Sequence, residues 1–176
     1  MSAPFTLETD RLTLRDWREE DIGPFLTHTN TPDVMRWLGG VMSVPVFGGF
    51  LFRNERCREA NGFCFWIVER KLDGEVLGFC GLKRVNTAAA SMVGEHEIGW
   101  RLRKDAWGQG YAKEAATASL NAAFTQFDAP IVHALTVQQN EGSWGLMRRL
   151  GMERRPDLDC VEPRWGEELQ NCIVHS

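Results

Sequence analysis

Apolar and polar positions alternate in Leu12-Thr13-Leu14-Arg15, which predicts a first strand. Residues 18–28 read as a helix with Glu19, Glu20 and Asp21 in its first turn, where acids suit the helix dipole. A short helix should start at Pro32, capped by Thr31, reach Trp37-Leu38 and stop at Gly39-Gly40. Residues 44–59 form a longer helical pattern with Phe47, Phe50, Leu51 and Cys57 on one face; Gly48-Gly49 weakens it and Asn61-Gly62 closes it. From 63 to 70, Phe65, Ile67 and Glu69 alternate with Cys64, Trp66 and Val68; Leu72-Asp73-Gly74 then turns the chain into a partner strand at 75–83. A loop of small residues over 85–92 precedes a strand at 94–102, a glycine-rich turn and a helix to 126. That helix sets Ala112, Ala116, Leu120, Ala123, Phe124 and Phe127 near one face, a core-packing pattern. An apolar strand at 131–137 follows, then a helix from 142 or 143 to 150 with Gly151 after its end, and a last strand pair at 152–155 and 169–175. This order predicts a mixed α/β fold, largely antiparallel in its front half. No repeat or linker divides it, so one domain is expected over 1–176.

A chain of 176 residues, 43% hydrophobic and 25% charged, can bury a sizeable core and is not of disordered composition. The net charge of −4 offers no basic excess for nucleic acid. It would suit an amine-bearing substrate, but simple solubility is the stronger reading of so mild a balance. Five cysteines without a C-x-x-C pair, and no signal-peptide pattern in residues 1–12, predict reduced thiols in a cytoplasm. No apolar run approaches the ~20 residues of a membrane span. His28, His96, His133 and His175 form no ligand pair, so no metal is expected.

The turn Trp107-Gly108-Gln109-Gly110-Tyr111-Ala112, between a strand and a helix start, is built for a phosphate-bearing ligand. Glycines let the backbone approach closely, and a helix's first turn has unpaired N–H groups and partial positive charge. A dinucleotide fingerprint fits poorly: Lys113 stands where the third glycine belongs, and Asp128 precedes the next strand rather than ending it. The Gly-Lys-Ser/Thr of a nucleotide-triphosphate loop is absent.

The same turn resembles the coenzyme A loop of GNAT acyltransferases, Gln/Arg-x-x-Gly-x-Gly/Ala, with Trp107 in the first position. With Glu114-Ala115 after it, the turn is similar to the RimJ/RimL-like branch of ribosomal-protein N-terminal acetyltransferases. Glu8-Thr9-Asp10-Arg11-Leu12-Thr13-Leu14-Arg15, Glu97-Ile98-Gly99-Trp100 and Asn140-Glu141-Gly142-Ser143 with Leu150-Gly151-Met152 resemble further motifs of that branch, in the same order. The resemblance implies the GNAT fold, acetyl-CoA as co-substrate and acetyl transfer to a primary amine by direct attack in a ternary complex. A protein N-terminus is the favoured acceptor and a small amine the alternative. A non-catalytic acyl-CoA-binding protein and a nucleotide-binding module are the rivals. A monomer or homodimer is expected.

Such transfer needs a neutral amine, donors for the carbonyl oxygen and a thiolate able to leave. Glu97 is the candidate base, with Glu95 in reserve on the same face and His96 on the other. By the resemblance, backbone N–H groups near Trp100 and Leu102 would hold the thioester arm, freed by a bulge in the strand. Trp107, Gly108, Gln109, Gly110, Tyr111 and Ala112 would cradle the diphosphate. The position seven after Asn140, tyrosine in many members, is Met147, which has no proton to donate; the resemblance to the branch with Ser at the fourth motif position implies Ser143 as donor to the leaving thiol, and a plain polar residue in the helix's first turn is the alternative. Asn140 either contacts coenzyme or acceptor or simply caps the helix. Arg101, Arg103, Lys104 and Lys113 flank the turn as possible phosphate contacts, and Trp37 and Trp144 are possible pocket walls.

Overall fold

The computed structural model describes residues 4–176; the first three residues of the expected domain lie outside that span. The elements are β1 (Thr6–Glu8), β2 (Leu12–Arg15), α1 (Ile22–Thr29), α2 (Pro32–Met35), α3 (Val44–Asn61), β3 (Phe65–Arg70), β4 (Val76–Arg84), β5 (His96–Leu102), α4 (Tyr111–Thr125), β6 (Val132–Val137), α5 (Glu141–Arg149), β7 (Cys160–Val161) and β8 (Asn171–His175). They form one 8-stranded sheet of order β1-β2-β3-β4-β5-β6-β8-β7. Every neighbouring pair is antiparallel except β5–β6. No helix among the described residues is long and apolar enough to cross a membrane.

Local signals place most elements. The Thr31 side chain accepts from the Val34 N–H and opens α2, while Gly62, at φ 77°, closes α3 in a left-handed conformation that glycine adopts without strain. α3 runs through Gly48-Gly49 without a break. The expected helix at 18–28 begins instead with a single 3₁₀ turn, Glu19–Asp21, because Asp21 is turned inward to accept from the Arg18 N–H and the Arg15 guanidinium. β1 was not foreseen: three residues are too short to show a period. The strand expected at 152–155 is reduced to one bridge, Arg154–His175, and β8 pairs instead with β7. Pro156 interrupts the first segment with a 3₁₀ turn.

The sheet has an apolar layer on each face. Leu12, Leu14, Trp66, Val68, Cys80, Leu82 and Ile98 pack under Ala115, Ala116 and Ala123 of α4, whose small side chains let the helix lie close. On the other face Phe25, Phe47, Ile67 and Phe79 gather beneath α1 and α3, with Phe50 and Phe65 alongside. Phe124, expected on the buried face of α4, is exposed; Ala122 and Ser119 take that side.

β5 stays zipped to β4 along its whole length, from Arg84–His96 to Gly78–Leu102. Its parallel ladder with β6 holds only two pairs, His96–Val132 and Glu97–His133. Beyond Glu97 the strands part. The bulge expected in β5 is absent; the register shift lies between β3 and β4, at Val68/Glu69.

Candidate active site

A cleft of about 1210 Å³ opens where β5 and β6 separate, with Glu97, Trp100, Arg101 and Leu102 on one wall and Thr136, Asn140 and Ser143 on the other. The ladder decides which backbone groups face it. Glu95 O accepts from Val85 N–H at 2.9 Å and Arg103 N–H donates to Leu77 O at 2.7 Å, so odd-numbered residues of β5 bond toward β4. Strict alternation then turns the N–H groups of Trp100 and Leu102 toward β6, past the point where β6 pairs with them. These donors are freed by the parting of two strands, not by a bulge. The Leu102 carbonyl on the same edge accepts from the Trp107 indole at 2.9 Å.

That bond ties the glycine turn to the end of β5. Gly108 and Gly110 have φ of 71° and 83°, and α4 begins at Tyr111, so the turn presents first-turn N–H groups of a 15-residue helix. A Cβ on Gly108 would meet nothing within 4 Å, so the approach to this backbone is open. Trp107, Gly108 and Ala112 line the cleft. Gln109 braces the turn, its amide donating to Asp105 O at 2.6 Å and its carbonyl accepting from Arg11 at 2.9 Å. The Tyr111 ring is buried under the Arg11 guanidinium, 4.3 Å from its centroid, so only its backbone remains for a ligand.

Glu97 is buried and lines the cleft, its side chain on the α1–α3 face of the sheet. Desolvation raises its carboxyl above the ordinary 4.5, opposed by Lys83, His133 and Arg164. Lys83 Nζ lies 3.1 Å from Oε2, off the line of a hydrogen bond. Glu95, the expected reserve, is drawn away: its Oε2 sits 2.6 Å from Nε2 of the buried His133, and it does not line the cleft. His96 packs on Phe63 on the opposite face, ring centroids 5.2 Å apart.

The four cations near the turn separate. Arg103 pairs with Glu75 and Asp105 at 2.8 and 2.6 Å, and Lys104 with Asp33 at 2.8 Å. Lys113 makes no ion pair among the described residues. Arg101 does not point at the turn at all. It is buried on the α1–α3 face, its guanidinium 5.2 Å from the Phe79 ring.

Asn140 occupies the N-cap position of α5, but its side chain makes no capping bond; its Nδ2 donates to Thr136 Oγ1 at 3.1 Å, inside the cleft. Ser143, in the first turn of α5, lines the same wall, and Met147 is buried behind it. Trp37 lines the cleft, whereas Trp144 does not: its indole donates to Gln138 O at 3.0 Å. Sequence reasoning missed Glu162. This buried carboxylate is paired first with Arg164 and also accepts from Thr87 Oγ1 at 2.8 Å; together they hold it at about 2 at the cleft's edge. It lies in an irregular segment remote in sequence from β5, and no spacing marks it.

A family model described as an acetyltransferase (GNAT) domain matches residues 11–153. The chain belongs to the GNAT acetyltransferase family. This GNAT chain is 32% identical over 153 residues to the uncharacterized protein YkkB of Bacillus subtilis (strain 168), covering 86% of this chain and 87% of that one. Its fold matches the crystal structure of an acetyltransferase from Agrobacterium tumefaciens str. C58 with a TM-score of 0.80 and 26% identity, over 99% of this chain and 94% of that one. RimL, a ribosomal L7/L12 α-N-protein acetyltransferase in complex with coenzyme A, shares the fold at a TM-score of 0.75 and 13% identity, over 97% and 96% of the two chains. The mixed, mostly antiparallel sheet flanked by helices is that of the GNAT fold.

Proposed function

We propose that this GNAT acetyltransferase moves the acetyl group of acetyl-CoA to a primary amine, with a protein N-terminal α-amine the favoured acceptor, by direct attack in a ternary complex. One observation carries the reading. A buried carboxylate of raised proton affinity, Glu97, faces the cleft beside the edge of β5 whose N–H groups have no strand partner.

The residues present fit the coenzyme. An open glycine turn with positive φ at Gly108 and Gly110, and the free first turn of α4, suit a diphosphate. Trp107 and Gln109 stiffen that turn, and the N–H groups of Trp100 and Leu102 are placed for amide and carbonyl oxygens of the pantetheine arm. When bound, the thioester supplies an activated acetyl group.

Glu97 takes the proton of the incoming ammonium, directly or through water. An α-amine has a reference pKa of about 8, so roughly a tenth is neutral at pH 7. A lysine amine near 10.4 needs about 4–5 kcal/mol to reach the neutral form at pH 7, about 3 kcal/mol more than the α-amine. A single carboxylate whose affinity is raised by burial is matched to the first task. Ser143 offers its hydroxyl to the departing sulfur, and Asn140, held by Thr136, orients what lies between the strands. Cys57 reaches the cleft, but burial raises its thiol above 9.0, which leaves it protonated and favours direct attack over an acyl-cysteine route. The RimL fold and the motifs of 94–115 support a protein N-terminus as acceptor. Five free cysteines suit a cytoplasm.

Thiol release from acetyl-CoA, measured with a panel of N-terminal peptides beside polyamines and other small amines, should be fastest with peptides. Reaction with small amines alone overturns the acceptor; coenzyme binding without thiol release from any amine favours a non-catalytic binder. Gly110→Val should weaken coenzyme A binding, measured by calorimetry, by about tenfold. A β-branched residue at φ 83° is strained by about 1–2 kcal/mol, and its Cβ would press to 3.3 Å from Arg11 Nη2, shifting the turn. Unchanged affinity would remove this turn from the diphosphate site.

A further inference from the structure

We propose that Arg101 recognises a carboxylate on the acceptor, so that the substrate is an amine carrying an acidic group some distance from the reacting nitrogen. This deepens the acetyl-transfer reading and rests on it.

Arg101 is a charged side chain without a counterion. It is 9% exposed, and its buried Nε and Nη1 have no hydrogen-bond partner. No carboxylate among the described residues pairs with it, unlike Arg15, Arg103 and Arg164, each held by an acid. Its guanidinium lies 5.9, 5.7 and 5.2 Å from the rings of Phe25, Phe50 and Phe79. Cation–π contact offsets part of the desolvation and leaves the donors unused. With no acid to oppose it, desolvation lowers the Arg101 pKa to about 10. A methionine or leucine would fill this aromatic pocket at less expense, so packing alone gives no reason for the charge.

The position points to the acceptor rather than the coenzyme. Arg101 and Glu97 share the α1–α3 face of β5, and both line the cleft. The glycine turn serves α4, which covers the opposite face. Four residues along a strand set the two Cα atoms about 13 Å apart. An amine at Glu97 and a carboxylate at Arg101 would therefore belong to one extended molecule. A carboxylate accepts two parallel N–H bonds from a guanidinium, which is the partner the site lacks. Two sources share this chemistry: an acidic side chain near a peptide N-terminus, and the carboxyl group of a small ω-amino acid whose amine lies several bonds away.

Acceptor pairs that differ only in carboxylate against carboxamide separate these cases. One set is N-terminal peptides with Asp or Glu, against Asn or Gln, in the first few residues; the other is long-chain ω-amino acids against their amides. The wild-type protein should prefer the acid member by about tenfold or more in kcat/KM, the scale of one buried charge pair. The set that shows the preference names the source. In Arg101→Met the preference should vanish through a rise in the acceptor KM rather than the acetyl-CoA KM. The same variant should melt at a higher temperature, since a buried charge without a partner is gone. Equal rates for acid and amide in the wild type, a rise confined to the acetyl-CoA KM, or a lower melting temperature overturns the proposal. Wild-type protein that acetylates none of these amines overturns the acetyl-transfer reading as well, a distinct result.

Discussion

With Glu97 proposed as the general base, Glu97→Gln should lower kcat by about 10²–10⁴-fold, the usual worth of such a group, and should abolish the acidic limb of the pH–rate profile. The limb arises because the base works only when ionised. Burial raises the Glu97 carboxyl above 4.5, so wild-type activity should rise with pH through a value above that of an exposed glutamate. Glutamine keeps the shape and loses the titration. The stability effect has the opposite sign. A carboxyl with a raised folded pKa contributes fully to stability below about 4.5 and loses that contribution as pH rises through the folded value. The variant should therefore melt above the wild type at neutral pH, with the gain disappearing in acid. Steady-state kinetics and thermal unfolding across a pH series read both effects. A pH–rate profile unchanged by the substitution removes Glu97 from the base role.

Gly78→Ala destabilises the protein by about 4 kcal/mol or more. Gly78 sits in β4 at φ 146°, opposite Leu102. A Cβ there would lie 2.0 Å from Arg101 O and 2.8 Å from Leu102 Cα. Both are backbone atoms of β5 and cannot swing aside as a side chain could. The β4–β5 ladder would have to open at the rung that aims Arg101 and Leu102. Overpacking of about 1–3 kcal/mol and backbone strain of similar size add at this site. For a chain of this length the melting temperature should fall by about 10 °C, read by thermal unfolding. Gly74→Ala is the comparison: at φ 73°, with nothing within 4 Å of its Cβ, it meets strain alone, about 1–2 kcal/mol. Equal melting temperatures for the two variants would contradict the close ladder.

Much of the site was legible because its signals are local. A glycine turn before an alanine-rich helix marks a helix start with unpaired N–H groups, and alternation alone puts Glu97 and Arg101 on one face of β5. Thr31, Gly62 and Gly151 mark helix ends through their own backbone and side-chain bonds. Other features had no local signal. β1 and β7 are too short for periodicity and exist by pairing with β2 and β8. Asn140 looks like a cap by position, but Thr136, four residues back on β6, takes its side chain. Glu95 and Glu97 look equivalent in a strand pattern until His133, brought in by β6, draws Glu95 away.

The family, most of the element order and several candidate residues of the cleft follow from the sequence, since side-chain period, turn chemistry and motif spacing act over a few neighbours. Tertiary structure alone decided that β5 and β6 separate after Glu97, that Trp100 and Leu102 thereby expose their N–H groups, and that Arg101 lies without a counterion among Phe25, Phe50 and Phe79. Each of these depends on what a distant segment does or does not place opposite β5. Hydrogen-bond satisfaction and charge pairing are settled by partners, and partners are chosen only when the sheet closes.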